Sequence, residues 1–140
     1  MERYMTISEY RLPQAAFSWE ELKKDANGLI PVIVQDEKTL QVRMLAYMNE
    51  EAYNTTLKTG RMTYYSRSRK EQWVKGMTSG NIQYVKSLTA DCDLDTILAV
   101  VYQQGGISCH TGAESCFFHT ISEIPEKEKS AEEKAKENLQ

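Results

Sequence analysis

A β-rich α+β fold, with a small, mostly antiparallel sheet and few short helices, is what this chain predicts. Two apolar, β-prone runs are parted by a four-residue polar turn, one segment carries helix signals at both ends, and further short apolar runs follow glycine-containing loops. At 140 residues the chain suits one domain that builds its core without disulfides.

The elements follow in order. Ser18, with Glu21 three places on, has capping-box spacing and predicts a short helix in SWEELKKDA. Leu29 to Gln35 and Leu40 to Met48 are strand-like and flank the polar turn 36–39, which reads as a hairpin. Asn49 before two glutamates, Lys58 in the last turn and Gly60 just beyond predict a helix over 50–59. MTYYS alternates, and WVKGMTSGNIQYVKSLTA resumes strand character around a loop, so two further strands are expected. TILAVVYQQ is apolar on both faces and predicts a strand covered on both sides, or else a short buried helix. Cys116 to Ile121 supplies a last strand. Residues 1–121 then form the single domain, and 122–140 form a charged C-terminal tail, frayed or partly helical, with too little apolar surface to offset its ordering entropy.

Composition narrows the function. Apolar residues make up 41% and charged residues 26%, as in globular proteins, and no apolar run is long enough to span a bilayer. The N-terminal residues lack a secretory pattern, so a cytoplasmic protein is expected, with no membrane partner. A net charge of −3 gives no global field for nucleic acid, although a local phosphate site is compatible with it.

The three cysteines and three closely set aspartates lie within DCDLDTILAVVYQQGGISCHTGAESC. Cys92, Cys109 and Cys116 have 16 and then 6 residues between them, unlike the paired spacing of a zinc ribbon. Three thiolates on Zn²⁺ leave one open position, where water ionises at a pKa of about 7 rather than 15.7. The plainer alternative is that they are small core hydrophobes. If extended, Asp91, Asp93 and Asp95 put three carboxylates on one face, which favours a hard cation such as Mg²⁺, and Cys92 on the other. A solvated acidic loop is the plainer alternative, whereas an EF-hand lacks its glycine and glutamate here. His110 beside Cys109 suits proton transfer, with fourth-ligand and surface roles as alternatives; His119 suits a local hydrogen bond.

Arg67, Arg69, Lys75, Gly76, Thr78, Ser79 and Gly80 concentrate guanidinium, ammonium, hydroxyl and glycine-opened backbone donors of the kind phosphate oxygens need. Trp73 is a candidate for stacking on a purine, against an ordinary place in the core. A solvated hairpin turn is the alternative for the basic cluster.

SRSR, W-x-K-G-x-T-S-G, DCDxD and CHTGxxSCFF, in this order, resemble the phosphoribosyl-AMP cyclohydrolases over roughly Leu29 to His119. That resemblance implies hydrolysis of the N1–C6 bond of the adenine ring of phosphoribosyl-AMP by a zinc-bound hydroxide. The product would be phosphoribosylformimino-aminoimidazole carboxamide ribotide, in the third step of histidine biosynthesis. It implies Zn²⁺ on Cys92, Cys109 and Cys116, Mg²⁺ on Asp91, Asp93 and Asp95, and His110 as acid/base. It also implies an intertwined homodimer whose zinc ligands come from both chains. Two departures stand out: Met77 replaces the glutamate expected after Lys75-Gly76, and the stretch between the first two cysteines is one residue longer than the common pattern, implying an altered loop at Gly105-Gly106. The pyrophosphohydrolase domain fused in some members is expected on another polypeptide. A zinc deaminase would need H-x-E and P-C-x-x-C, which are missing, and a non-catalytic metal-dependent interaction module would close the cysteine site.

Overall fold

The computed structural model describes residues 15–125; most of the charged tail expected over 122–140 lies outside them, and 121–125 carry no regular secondary structure. Six strands, one α-helix and two 3-10 turns make up the described fold, which confirms a β-rich α+β architecture.

Strand β1, Ile30–Asp36, buries every second residue, and Ile30, Val32 and Val34 have no exposed surface. Each such side chain stabilises the fold by about 1.5–3 kcal/mol. The predicted turn joins it to β2, Val42–Met48, in an antiparallel hairpin with a register shift at Val34/Gln35. Asp36 Oδ1 accepts from the Lys38 and Thr39 amides at 2.8 and 2.9 Å, an Asx turn that sets the reversal.

The helix α1 spans Glu50–Thr59, as predicted. Ala52 N donates to Asn49 Oδ1 at 2.9 Å, and Gly60 ends the helix at φ 74° with its N–H donating to Thr56 O. Beyond it, β3 (Thr63–Ser66) and β4 (Glu71–Val74) form a separate two-stranded ribbon. The long strands β5 (Gln83–Ala90) and β6 (Ile97–Gln103) complete a four-stranded sheet in the order β2-β1-β6-β5. Only the β1–β6 pair is parallel, so the sheet is mostly antiparallel.

One expectation holds only in part and two fail. SWEELKKDA forms only a 3-10 turn at Trp19–Glu21, and the Ser18 side chain caps nothing. Tertiary contacts override local propensity there: Trp19 and Leu22 are both buried, and Lys23 N donates to Leu94 O at 2.8 Å, which draws the chain away from a helical path. β6 is not covered on both faces. Ile97, Ala99, Val101 and Gln103 face the core, while Leu98 is 37% exposed, because the described layers cover one side of the sheet. Cys116 to Ile121 is no strand: Cys116 N donates to Arg43 O at 2.7 Å but no ladder follows, and Phe117 and Phe118 are 63% and 50% exposed.

The most buried ion pair among the described residues joins the ends of the first hairpin, where Arg43 Nη2 donates to Asp36 Oδ2 at 2.8 Å. Burial alone raises the Asp36 carboxyl, but the Arg43 hydrogen bond and charge, with the Thr39 and Lys38 amides, hold it at about 2, below its ordinary 3.8. A carboxylate depressed in the folded state stabilises fully above its unfolded pKa and loses that contribution as pH falls through its folded one. Asp36→Asn is therefore expected to be less stable than the parent at neutral pH. Urea titrations should show that gap narrowing as pH drops from about 4 to about 2.

Candidate active site

The loop after β6 carries two of the cysteines. Gly105 turns the chain at φ 76°, and a tight turn then wraps around Cys109: the Ser108 and Cys109 amides both donate to Ala113 O, at 3.2 and 3.1 Å, and Gly112 N donates to Cys109 O at 3.0 Å. Thr111 Oγ1 donates to Cys109 Sγ at 3.0 Å; this bond and the Thr111 amide hold the Cys109 thiol below its ordinary value. Cys116 lies beside it, its thiol raised by burial and by the neighbouring Cys109 sulfur. One thiol of the pair is thus poised to ionise ahead of the other.

Lys75 faces this pair. Burial pushes its ammonium down while both sulfurs pull it up, and its Nζ donates to Ser108 O, the carbonyl just before Cys109. A buried relay holds Ser108 from the other side. Ser108 Oγ donates to Gln103 Oε1 at 2.7 Å, Gln83 Nε2 donates to the same oxygen at 2.8 Å, and Tyr64 Oη donates to Gln83 Oε1 at 2.5 Å. Burial and the nearby Cys116 push the Tyr64 hydroxyl well up, so it remains a donor. A satisfied buried network of this kind fixes side-chain positions.

A cleft of about 480 Å³ opens onto the loop. Its walls bring Arg69, Trp73, Lys75, Gly76, Thr78 and Ser79 together with Cys109 and His110. Trp73 serves the core as well, its ring 5.0 Å from Tyr64. Gly76 is where the loop crosses Asn81 and Ile82, at a φ of 86° and with no room for a Cβ. Arg67 stands apart in a neighbouring cavity, its guanidinium 4.0 Å from the Tyr47 ring centroid. Gly80 does not line the cleft; its carbonyl accepts from Gln104 Nε2 at 3.0 Å.

The aspartates are not extended, which corrects the geometry expected of them. Asp91 to Thr96 is the turn between β5 and β6, with Leu94 at φ 63°. Asp91 Oδ1 accepts from the Asp95 and Thr96 amides at 3.1 and 3.3 Å, so folding back, rather than strand alternation, gathers the carboxylates. Oxygens of Asp91, Asp93 and Asp95 all lie within 4.8 Å of one another. Desolvation raises Asp91, but donation from its neighbours outweighs it and the carboxyl lies below its ordinary value; Asp93 is raised by its hydrogen bonds to Asp95 and Asp91. Such crowding suits a hard cation. The expected placement of Cys92 on the opposite face of a strand fails with it: Cys92 is exposed in the same turn.

This turn and the Cys109 loop lie at opposite ends of the seven-residue β6, a span of about 20 Å. Among the described residues of one chain the three sulfurs therefore do not meet. Two thiols with a compensating ammonium suit part of a soft-metal site, and Cys92 is accessible from outside. Gln83, Gln103, Ser108 and Thr111 were not flagged by the sequence reading. Gln103 did carry a signal, falling in phase with the core-facing Ile97, Ala99 and Val101.

No described helix is long and apolar enough to cross a membrane. The family model for phosphoribosyl-AMP cyclohydrolase matches residues 44–118, a span that holds every candidate metal, acid/base and substrate residue named above. A phosphoribosyl-AMP cyclohydrolase of Streptococcus mutans is 61% identical over 98 residues, covering 70% of this chain and 89% of the relative. One from Desulforapulum autotrophicum is 56% identical over 94 residues, covering 67% and 75%. One from Bacillus cytotoxicus is 56% identical over 96 residues, covering 69% and 94%. With the cysteine loop, the acidic turn and the lysine-glycine loop all inside the matched span, this chain belongs to the phosphoribosyl-AMP cyclohydrolase family of enzymes.

Proposed function

We propose that this enzyme hydrolyses the N1–C6 bond of the adenine ring of phosphoribosyl-AMP, the third step of histidine biosynthesis. One observation carries the reading: Cys109, with Cys116 beside it, converges with His110 and the Lys75–Ser79 loop on a single cleft that Cys109, His110 and the loop line. Cys92, Cys109 and Cys116 hold Zn²⁺, with Cys92 supplied by a second copy of the chain, and Asp91, Asp93 and Asp95 hold Mg²⁺. When bound, zinc supplies the Lewis acidity that brings water ionisation into the neutral range. Trp73 stacks against the purine, and the Arg69, Thr78 and Ser79 donors orient phosphate, with Arg67 and Gly80 beside the cleft. Lys75 and Gly76 shape the wall. Water adds at C6, the C6–N1 bond breaks, and His110 takes a proton from the attacking water and returns one to N1. The domain comprises residues 1–121, and the enzyme works in the cytoplasm.

Purified protein incubated with phosphoribosyl-AMP should open the ring, followed by absorbance. Activity should disappear with a chelator and return with Zn²⁺ and Mg²⁺ together. No ring opening with both metals present sinks the substrate assignment. Asp93→Asn should keep its zinc yet need roughly 10- to 100-fold more Mg²⁺ for half-maximal rate. An unchanged Mg²⁺ response counts against the acidic turn as a second metal site.

A further inference from the structure

Arg43 lies in β2, one residue before the family match begins, and nothing in its sequence context marks it as functional. In the fold it is 5% exposed and fastened to the cysteine loop at both ends. Nη1 donates to Gly106 O at 2.8 Å and to Glu114 O at 2.7 Å, so one nitrogen bridges the two sides of the loop enclosing Cys109. The backbone carbonyl of Arg43 accepts from Cys116 N at 2.7 Å and from Ser115 Oγ at 3.2 Å, and Ser115 Oγ also donates to Val42 O at 2.7 Å. Nη2 is held by Asp36 at 2.8 Å, which fixes the guanidinium plane. Residues 106, 114 and 116 are thus tied to one rigid strand position.

We propose that Arg43 is a positioning residue that sets the spacing of the Cys109 and Cys116 sulfurs. It touches neither sulfur among its described hydrogen bonds; it acts through the backbone that carries them. Without the bridge, Gly106 and Glu114 are free to part and the turn around Cys109 can swing relative to Cys116. Ligand geometry is sensitive to such outer support, and loss of a supporting partner lowers metal affinity by about 10- to 100-fold. Lysine is the informative replacement, because it keeps a cation beside Asp36 but has no planar fork to span two carbonyls. The inference rests on the reading of these cysteines as metal ligands, so its test begins with a readout that needs no metal.

Phenylarsine oxide joins two closely spaced thiols, forming two As–S bonds and releasing water. In zinc-stripped Cys92→Ser protein, its capture reports the Cys109–Cys116 spacing directly. Arg43→Lys in that background should slow capture by about 10-fold or more. With Cys92 present, the same substitution should weaken Co²⁺ affinity, followed by the thiolate charge-transfer band, by about 10- to 100-fold. Ser115→Ala, which loosens only the Cys116 end, should give about a threefold slowing and keeps the test open if the lysine variant does not fold. A capture rate within about twofold of the parent in a folded Arg43→Lys protein, or in Ser115→Ala where that variant fails, overturns the proposal. No arsenical capture by the parent overturns it too. Capture by the parent with no thiolate band on Co²⁺ addition instead overturns the metal reading and leaves the spacing role standing.

Discussion

Cys109→Ser is expected to leave the chain folded but stripped of zinc and of turnover. The fold tolerates the exchange because the turn around residue 109 is made by backbone bonds, from the Ser108 and Cys109 amides to Ala113 O and from Gly112 N to Cys109 O. A serine hydroxyl can still accept from Thr111. What it does not supply is a soft anionic donor, since a hydroxyl stays protonated where this thiol, held down by Thr111, ionises. The loss should exceed the roughly 10- to 100-fold that removing an outer support costs a metal site. Metal content, ring opening and a urea titration on the same sample decide it, and full activity in zinc-free Cys109→Ser protein would refute the zinc assignment.

Gly76→Ala should destabilise more than any other single-methyl addition in the cleft loop. A Cβ there would lie 2.3 Å from Ile82 N and 2.4 Å from Asn81 C, both backbone atoms that cannot rotate away, at a φ of 86°. Overpacking contributes about 1–3 kcal/mol and the left-handed conformation about 1–2 kcal/mol, so the urea midpoint should fall by an amount worth roughly 2–5 kcal/mol. Gly80→Ala is the matched comparison: its φ is 82°, but a Cβ there meets nothing within 4 Å. Only the backbone contribution, about 1–2 kcal/mol, should remain. Equal effects at the two positions would show that close approach at Gly76 is not what demands glycine. Because Thr78 and Ser79 ride on the same loop, Gly76→Ala should also impair ring opening where Gly80→Ala does so less.

Helix α1 and the first hairpin were legible because their signals are local: Asn49 caps at the start, Gly60 reverses at the end, and Asp36 closes its own turn. The same logic held only in part at Ser18, which precedes a single 3-10 turn without capping it, because buried Trp19 and Leu22 direct the chain more strongly than a capping pattern does. The aspartate cluster was correctly grouped for the wrong reason. Proximity in sequence kept the three residues together whether the segment was extended or folded back, so the grouping survived while the geometry did not.

The sequence by itself determined which side chains are present to do chemistry: thiols, carboxylates, a histidine and a loop of basic, hydroxyl and glycine residues, all on short motifs whose recognition needs no fold. Only the tertiary structure decided which of them meet. Strand β6 is stiff and runs from the Asp91 turn to the Cys109 loop, so it places Cys92 with the acids and Cys109 with Cys116. Arg43 became visible only there too, because its partners lie 63 and 71 positions away along the chain. Pairings across such distances are set by how strands register and which groups burial forces to find partners, and neither leaves a mark in the local pattern of residues.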